Sequence, residues 1–268
     1  MQPGLGPAKK EWYRKKITSY QEKINSILRR EQSIIDDNAD DPESASYKKL
    51  LFAEELLYMV TLHLAKYQLL LVYDNSKNKD TLTDIRNALY KTIIYFESIV
   101  TNFIDAPFSD YAPQLEKIKQ VPQKHRYYLI RKLGLLIDLV NLAYNNDNKW
   151  KLVSVEVQGR FAVIAKNILD LKDSTETGLD PRSPDYDITV FHLKLVKALL
   201  LQSATRYRQK YEMNTSSVED FRLAIQYLSA LRRIHLVLNE RSAAEEVKKR
   251  IDIWVTKMEK DLKRRKIK

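Results

Sequence analysis

The sequence predicts an all-α protein: about eight or nine long antiparallel helices stacked as αα-hairpins. Three observations carry this. Only five glycines occur in 268 residues. The prolines stand almost entirely where helices would begin, and apolar residues recur at steps of three and four through long segments. No convincing hairpin pattern of strands competes with these signals.

The first helix is expected over 8–35, with Tyr13, Ile17, Tyr20, Ile24 and Ile27 forming a seam of alternating four- and three-residue steps. The second, over 43–73, starts with Asp41 as N-cap and Pro42 in the first turn. Its stretch from Leu50 to Tyr73 is long enough to span a bilayer, but Glu54, Glu55, His63 and Lys66 interrupt it. A buried core helix is the expectation, with no transmembrane segment. A third helix over 81–104 opens on the capping box Thr81 to Asp84, and a short helix follows near 113–120.

The helix over 122–145 is apolar nearly all round, apart from a stripe of Arg131, Gly134, Asp138, Asn141 and Asn145. Such a helix should be central, the stripe serving as a solvent slit or as a groove for a partner. Over 149–172 the β-branched run "KLVSVEV" is ambiguous, and its continuation "QGRFAVIAKNILDLK" makes it helical. The helix over 185–212 follows Ser183 and Pro184, and that over 217–239 follows a capping box from Ser216 to Glu219. The last, over 241–265, presents Ile251, Trp254, Val255, Met258 and Leu262 on one face, so it should dock.

Tyr73, Tyr144 and Tyr211 each end an apolar helix before a turn that contains asparagine, at spacings of 71 and 67 residues. This recurrence suggests three αα-hairpins, 43–104, 122–172 and 185–239, flanked by basic terminal helices. Residues 1–7 read as a flexible leader and 8–268 as a single all-helical domain.

Absence of cysteine excludes thiol nucleophiles, disulfides and thiolate metal sites. The N-terminal stretch lacks the apolar run of a secretory signal, so the expected location is cytoplasmic, or nuclear if the C-terminal basic run is a targeting signal. The net charge is +11, and it is concentrated at the ends. Residues 248–268 contribute +7 and residues 1–31 contribute +5, leaving the body at −1. Such ends suit acidic protein surfaces or phosphates.

No catalytic constellation or cofactor motif emerges. Glycines at 4, 6, 134, 159 and 178 cannot build a phosphate-cradling loop. Each of the four histidines falls on a different helix or helix start, and none has the Glu-x-x-His spacing of a di-iron bundle. The leading expectation is a non-enzymatic helical scaffold that binds a protein partner through a groove between αα-hairpins. Its candidate polar groove holds Glu55, His63, Lys66, Arg131, Asp138 and Asn141. The alternative is nucleic-acid binding by the basic terminal helices, with Lys248, Lys249, Arg250, Lys263, Arg264 and Arg265 as contacts. No cofactor or metal is expected. An enzyme built on Glu55, His63 and Lys66 is the reserve reading.

Overall fold

The structure is a computed structural model describing residues 6–40, 45–74, 79–145, 147–176, 178–215 and 217–266. These residues form ten α-helices and no strand, the all-α architecture expected. In chain order they are α1 (Pro7–Asp40), α2 (Ala45–Asp74), α3 (Lys79–Val100), α4 (Ala112–Glu116), α5 (Gln123–Tyr144), α6 (Asn148–Asn167), α7 (Leu171–Glu176), α8 (Tyr186–Lys210), α9 (Val218–Val237) and α10 (Arg241–Lys266). The chain gathers into two compact units, 1–99 with 131–150, and 100–130 with 151–268. The division passes through α5 and next to the start of α6.

In the first unit the seam predicted on α1 buries Ile24 and Ile27. Three polar contacts fix its pairing with α2: Arg14 Nε donates to the Tyr73 hydroxyl at 3.1 Å, Lys66 Nζ to Gln21 Oε1 at 2.8 Å, and Arg30 meets Glu55 at 2.6 Å. Residue numbers rise on one helix as they fall on the other, so the helices are antiparallel. α2 buries Leu50, Phe52, Leu56, Val60, Leu62, Leu64 and Tyr67. By length and composition α2 and the segment Tyr186–Met213 pass for bilayer-crossing helices, but each also serves as a core helix of its unit. α3 lies beside α2, with the Phe52 and Tyr95 rings 5.8 Å apart. It starts at Lys79, so Thr81 is buried inside the helix and is not its cap.

In the second unit α8 packs on α9 and α9 on α10. Tyr207 stacks with Tyr227 at 5.5 Å, and Lys210 pairs with Asp220 at 2.8 Å. Gly159 of α6 permits this tyrosine pair: a Cβ there would stand 2.5 Å from the Tyr227 hydroxyl and 2.8 Å from Tyr207 Cε2. α8 ends in a wider π-type turn, Tyr211–Thr215. There Tyr211 donates to Asp261 at 2.9 Å, and Glu212 takes both Arg208 and Lys257.

The start signals are displaced by a residue or two. Asp185 precedes α8, while Ser183 and Pro184 sit in the preceding turn. Ser217 precedes α9 without a side-chain cap bond, whereas Asp41, Pro42 and Ser216 lie outside the described residues. The asparagine turn expected after Tyr144 is observed: Asn145 takes a left-handed φ of 43° just past α5, and Asn239 does the same at 56° past α9, a conformation asparagine tolerates. α3 ends at Val100, short of the expected 104, because Thr101 turns the chain at φ 83°. A β-branched residue there is strained. Asn167 restrains it, donating to the Thr101 carbonyl and hydroxyl at 3.1 Å and to the Phe103 carbonyl at 3.2 Å. The same junction ends α6 at Asn167, and α7 is a separate helix where one continuous helix to 172 was expected.

Candidate functional site

α2 and α5 lie side by side in the first unit. Lys132 forms an ion pair with Glu54, and thirteen residues further along α2 the Tyr67 hydroxyl donates to the Ala143 carbonyl at 3.4 Å. The two helices therefore run in the same direction. Between them lies an open cleft of about 440 Å³, floored by Leu57 and Leu136 and flanked by Tyr58, Thr61 and Leu135. The Glu54–Lys132 pair marks its N-terminal end.

The rim is apolar and wet. Leu142 is 73 % exposed, Leu135 59 %, Tyr58 47 %, Leu51 46 % and Leu139 39 %. Scattered exposed leucines are ordinary, but here five large apolar side chains are exposed on two neighbouring helices, and Tyr58 and Leu135 among them line the cleft between those helices. The expectation that this helix is central is therefore corrected. In the first unit α5 buries Leu133, Leu136, Ile137 and Val140, and its other side faces solvent. Its C-terminal end is rigid: Tyr144 and Trp150 stack at 4.1 Å, Tyr144 donates to the Leu82 carbonyl at 2.8 Å, and Trp150 Nε1 donates to Asn141 Oδ1 at 2.8 Å.

The predicted polar residues do not form one groove. Glu55 and Lys66 turn to α1, where Arg30 and Gln21 hold them. His63 is buried; burial holds its imidazole below the ordinary value, opposed by the charge of Asp84. Eleven residues separate Glu55 from Lys66, about 16 Å of helix, too far for shared acid–base work. Asn141 serves Trp150. Only Arg131 and Asp138 stand on the exposed side of α5, beside the leucines. Tyr58 and Leu135, which line the cleft, and the exposed Leu139 and Leu142 further along α5 were absent from the sequence-derived set. Their signal was the excess of apolar positions around α5.

The predicted tail contacts occupy α10 of the second unit. Trp254 is buried beneath the Arg208 guanidinium at 5.0 Å, and Ala244 and Val247 are buried with it, so the helix docks as expected. Lys248, Lys249, Arg250, Lys263 and Arg264 are exposed. The side chain of Arg265 lies outside the described residues.

A second polar cluster, invisible in the sequence, gathers at the C-terminal end of α6. His192 and Ala165 O are 2.9 Å apart through the ring Nε2, and Arg126 Nη1 donates to the Ile168 carbonyl at 3.3 Å. Lys166 is buried with its ammonium 4.4 Å from the Tyr111 ring centre. Burial pushes the Lys166 amine down to about 8, against the pull of Asp105. The Arg126 and Lys166 charges suit the negative end of a helix dipole, which gives the cluster a structural role. Among the described residues no group of three metal-ligating side chains occurs.

A family model matches residues 9–262, nearly the whole chain. The chain belongs to the TP0443 family. The match takes in the α2–α5 cleft, the α6 cluster and all of α10 except its last turn. No curated protein and no solved structure matches this TP0443-family chain.

Proposed function

We propose that this chain is a non-enzymatic helical scaffold whose first unit docks an apolar helical surface of a protein partner along the α2–α5 cleft. The observation that supports this is the cleft between parallel helices lined by exposed Tyr58 and Leu135, with Leu51, Leu139 and Leu142 also exposed on the same two helices. Such a groove receives an amphipathic helix by presenting pockets to side chains spaced three and four apart. Completing the burial of five such residues is worth about 1 kcal/mol each, roughly 5 kcal/mol together. That is of the same order as the entropic cost of association, so the partner must extend beyond the cleft to bind tightly.

A photo-crosslinking amino acid in place of Tyr58 or Leu139 tests this in living cells. The expected result is a polypeptide adduct at both positions and none when the probe replaces Lys249 of α10. Absence of any polypeptide adduct at the cleft would overturn the reading. Exposure of Lys248, Lys249, Arg250, Lys263 and Arg264 favours a second reading, in which α10 supplies a charge-driven nucleic-acid contact. Anisotropy of labelled RNA and DNA at two salt concentrations decides that one, since a flat salt response excludes it.

A further inference from the structure

We infer that the nucleic acid met by α10 is duplex DNA, whose major groove the helix spans with one basic cluster on each bordering phosphate strand. This rests on the second reading above and names its ligand. The argument is where the charge sits along the helix. Lys249 and Arg250 form one exposed cluster and Lys260, Lys263 and Arg264 the other, and among the described residues none of the five forms an ion pair. Their neighbours Lys248 and Lys257 are committed within the chain, to Glu245 at 4.0 Å and to Glu212. Lys260 thus joins the contacts read from the sequence.

Between the clusters the exposed residues are Asp252, Ile253 and Thr256, and Ile253 is 67 % exposed. At 100° per residue, Lys249, Ile253, Thr256, Lys260 and Arg264 fall within about 80° of arc. They lie opposite Ala244 and Val247, which are buried. Ile253, Thr256, Lys260 and Arg264 line one open groove. Eleven residues separate Lys249 from Lys260, about 16 Å of helix, against a B-form major groove about 12 Å wide with a phosphate strand on each edge. Long basic side chains at both ends therefore reach the two strands. The middle stands over the groove, where a carboxylate can accept from cytosine and an apolar side chain can meet a thymine methyl. Glu246 and Glu259, exposed beside the clusters, lower the positive charge there without cancelling it. A single strand asks instead for a continuous basic track and for rings on which bases stack. α10 interrupts its charge at Asp252 and buries Trp254. Duplex RNA closes its deep, narrow major groove to side chains.

Fluorescence anisotropy of the full chain tests the inference, with labelled duplex DNA, one of its strands alone and duplex RNA of the same sequence at two salt concentrations. Duplex DNA is expected to bind more than about tenfold tighter than either of the others. Lys249→Glu and Lys260→Glu should each weaken it by about tenfold and lower the salt slope by about 1. Ile253→Glu should also weaken it, since a carboxylate enters between the two strands. Lys194→Glu, the same charge change at an exposed position of α8, should alter binding by less than about twofold. All these positions are exposed, so the helical spectrum should not change. Absence of binding to every nucleic acid overturns the second reading and the inference together. Tighter binding of the single strand or of duplex RNA overturns the inference alone, as does duplex binding that responds equally to Lys194→Glu and Lys260→Glu. Displacement of the DNA by polyglutamate at matched charge concentration also overturns it, since the face would then serve any polyanion.

Discussion

His192 should make the second unit acid-labile. Its side chain is fully buried, with Nε2 at 2.9 Å from the Ala165 carbonyl, the Tyr127 ring 5.3 Å away, and Nδ1 buried without a partner. The geometry assigns the neutral tautomer with the proton on Nε2. Protonation would place a second N–H where nothing accepts it, with the Arg126 charge nearby, and burial accordingly pushes the imidazole down to about 4 from 6.5. As pH falls below 6.5 the unfolded chain takes up this proton while the folded one does not. The stability is therefore present above that value and is lost as pH falls toward 4. At about 1.4 kcal/mol per unit, the full interval removes roughly 3 kcal/mol. The control is His192→Gln, whose Nε2 amide can still donate to Ala165 but does not titrate. Urea unfolding would be followed through buried Trp254, with Trp12 and Trp150 replaced by Phe, at neutral and acidic pH. Carboxylates common to both proteins cancel in the comparison. The wild type should lose about 2–3 kcal/mol more than His192→Gln over this range. Equal losses would refute the reasoning.

Lys166 gives the opposite slope at high pH. Its amine titrates at about 8 when folded and 10.5 when unfolded, so the cost of burying the charge is full below 8 and is relieved as pH rises between those values. Unfolding titrations should show the second unit gaining stability there, and Lys166→Met should abolish the gain. Gly159→Ala should lower the melting temperature of that unit: the helix-propensity gain of about 1 kcal/mol is outweighed by roughly 1–3 kcal/mol of overpacking against Tyr207 and Tyr227. Adding Tyr227→Phe, which removes the atom at 2.5 Å, should recover part of the loss in the same calorimetric scan. Asn167→Ala strips the Thr101 and Phe103 carbonyls of their donor and should cost about 2–3 kcal/mol, with faster amide exchange across residues 101–106.

The legible part of the structure was what local chemistry controls. Long apolar periodicity located the helices, and the asparagine turn expected after Tyr144 does end α5, because asparagine accepts a left-handed backbone. The displaced start signals show the limit of the same logic: Thr81 could cap a helix, but the chain began the turn at Lys79 and buried it. The α6 cluster was not legible, since His192, Arg126 and Lys166 converge only after α5, α6 and α8 have packed. No spacing in the sequence records that Ala165 and Ile168 leave carbonyls for them.

The cleft shows why composition marked α5 as unusual without identifying its exposed residues. An apolar residue is equally apolar under a neighbour and under water, so a helix greasy on every side reads as central. α5 is not central in the first unit because each neighbouring helix covers only part of its circumference. The uncovered side still carries Leu135, Leu139 and Leu142, three exposed leucines within eight residues of one helix. Stability does not supply a cause, because exposed leucines add little to it, and the ion pair of Lys132 with Glu54 shows that polar residues are accommodated at the same cleft. Association with a partner is the cause we propose, and crosslinking at the cleft is its test.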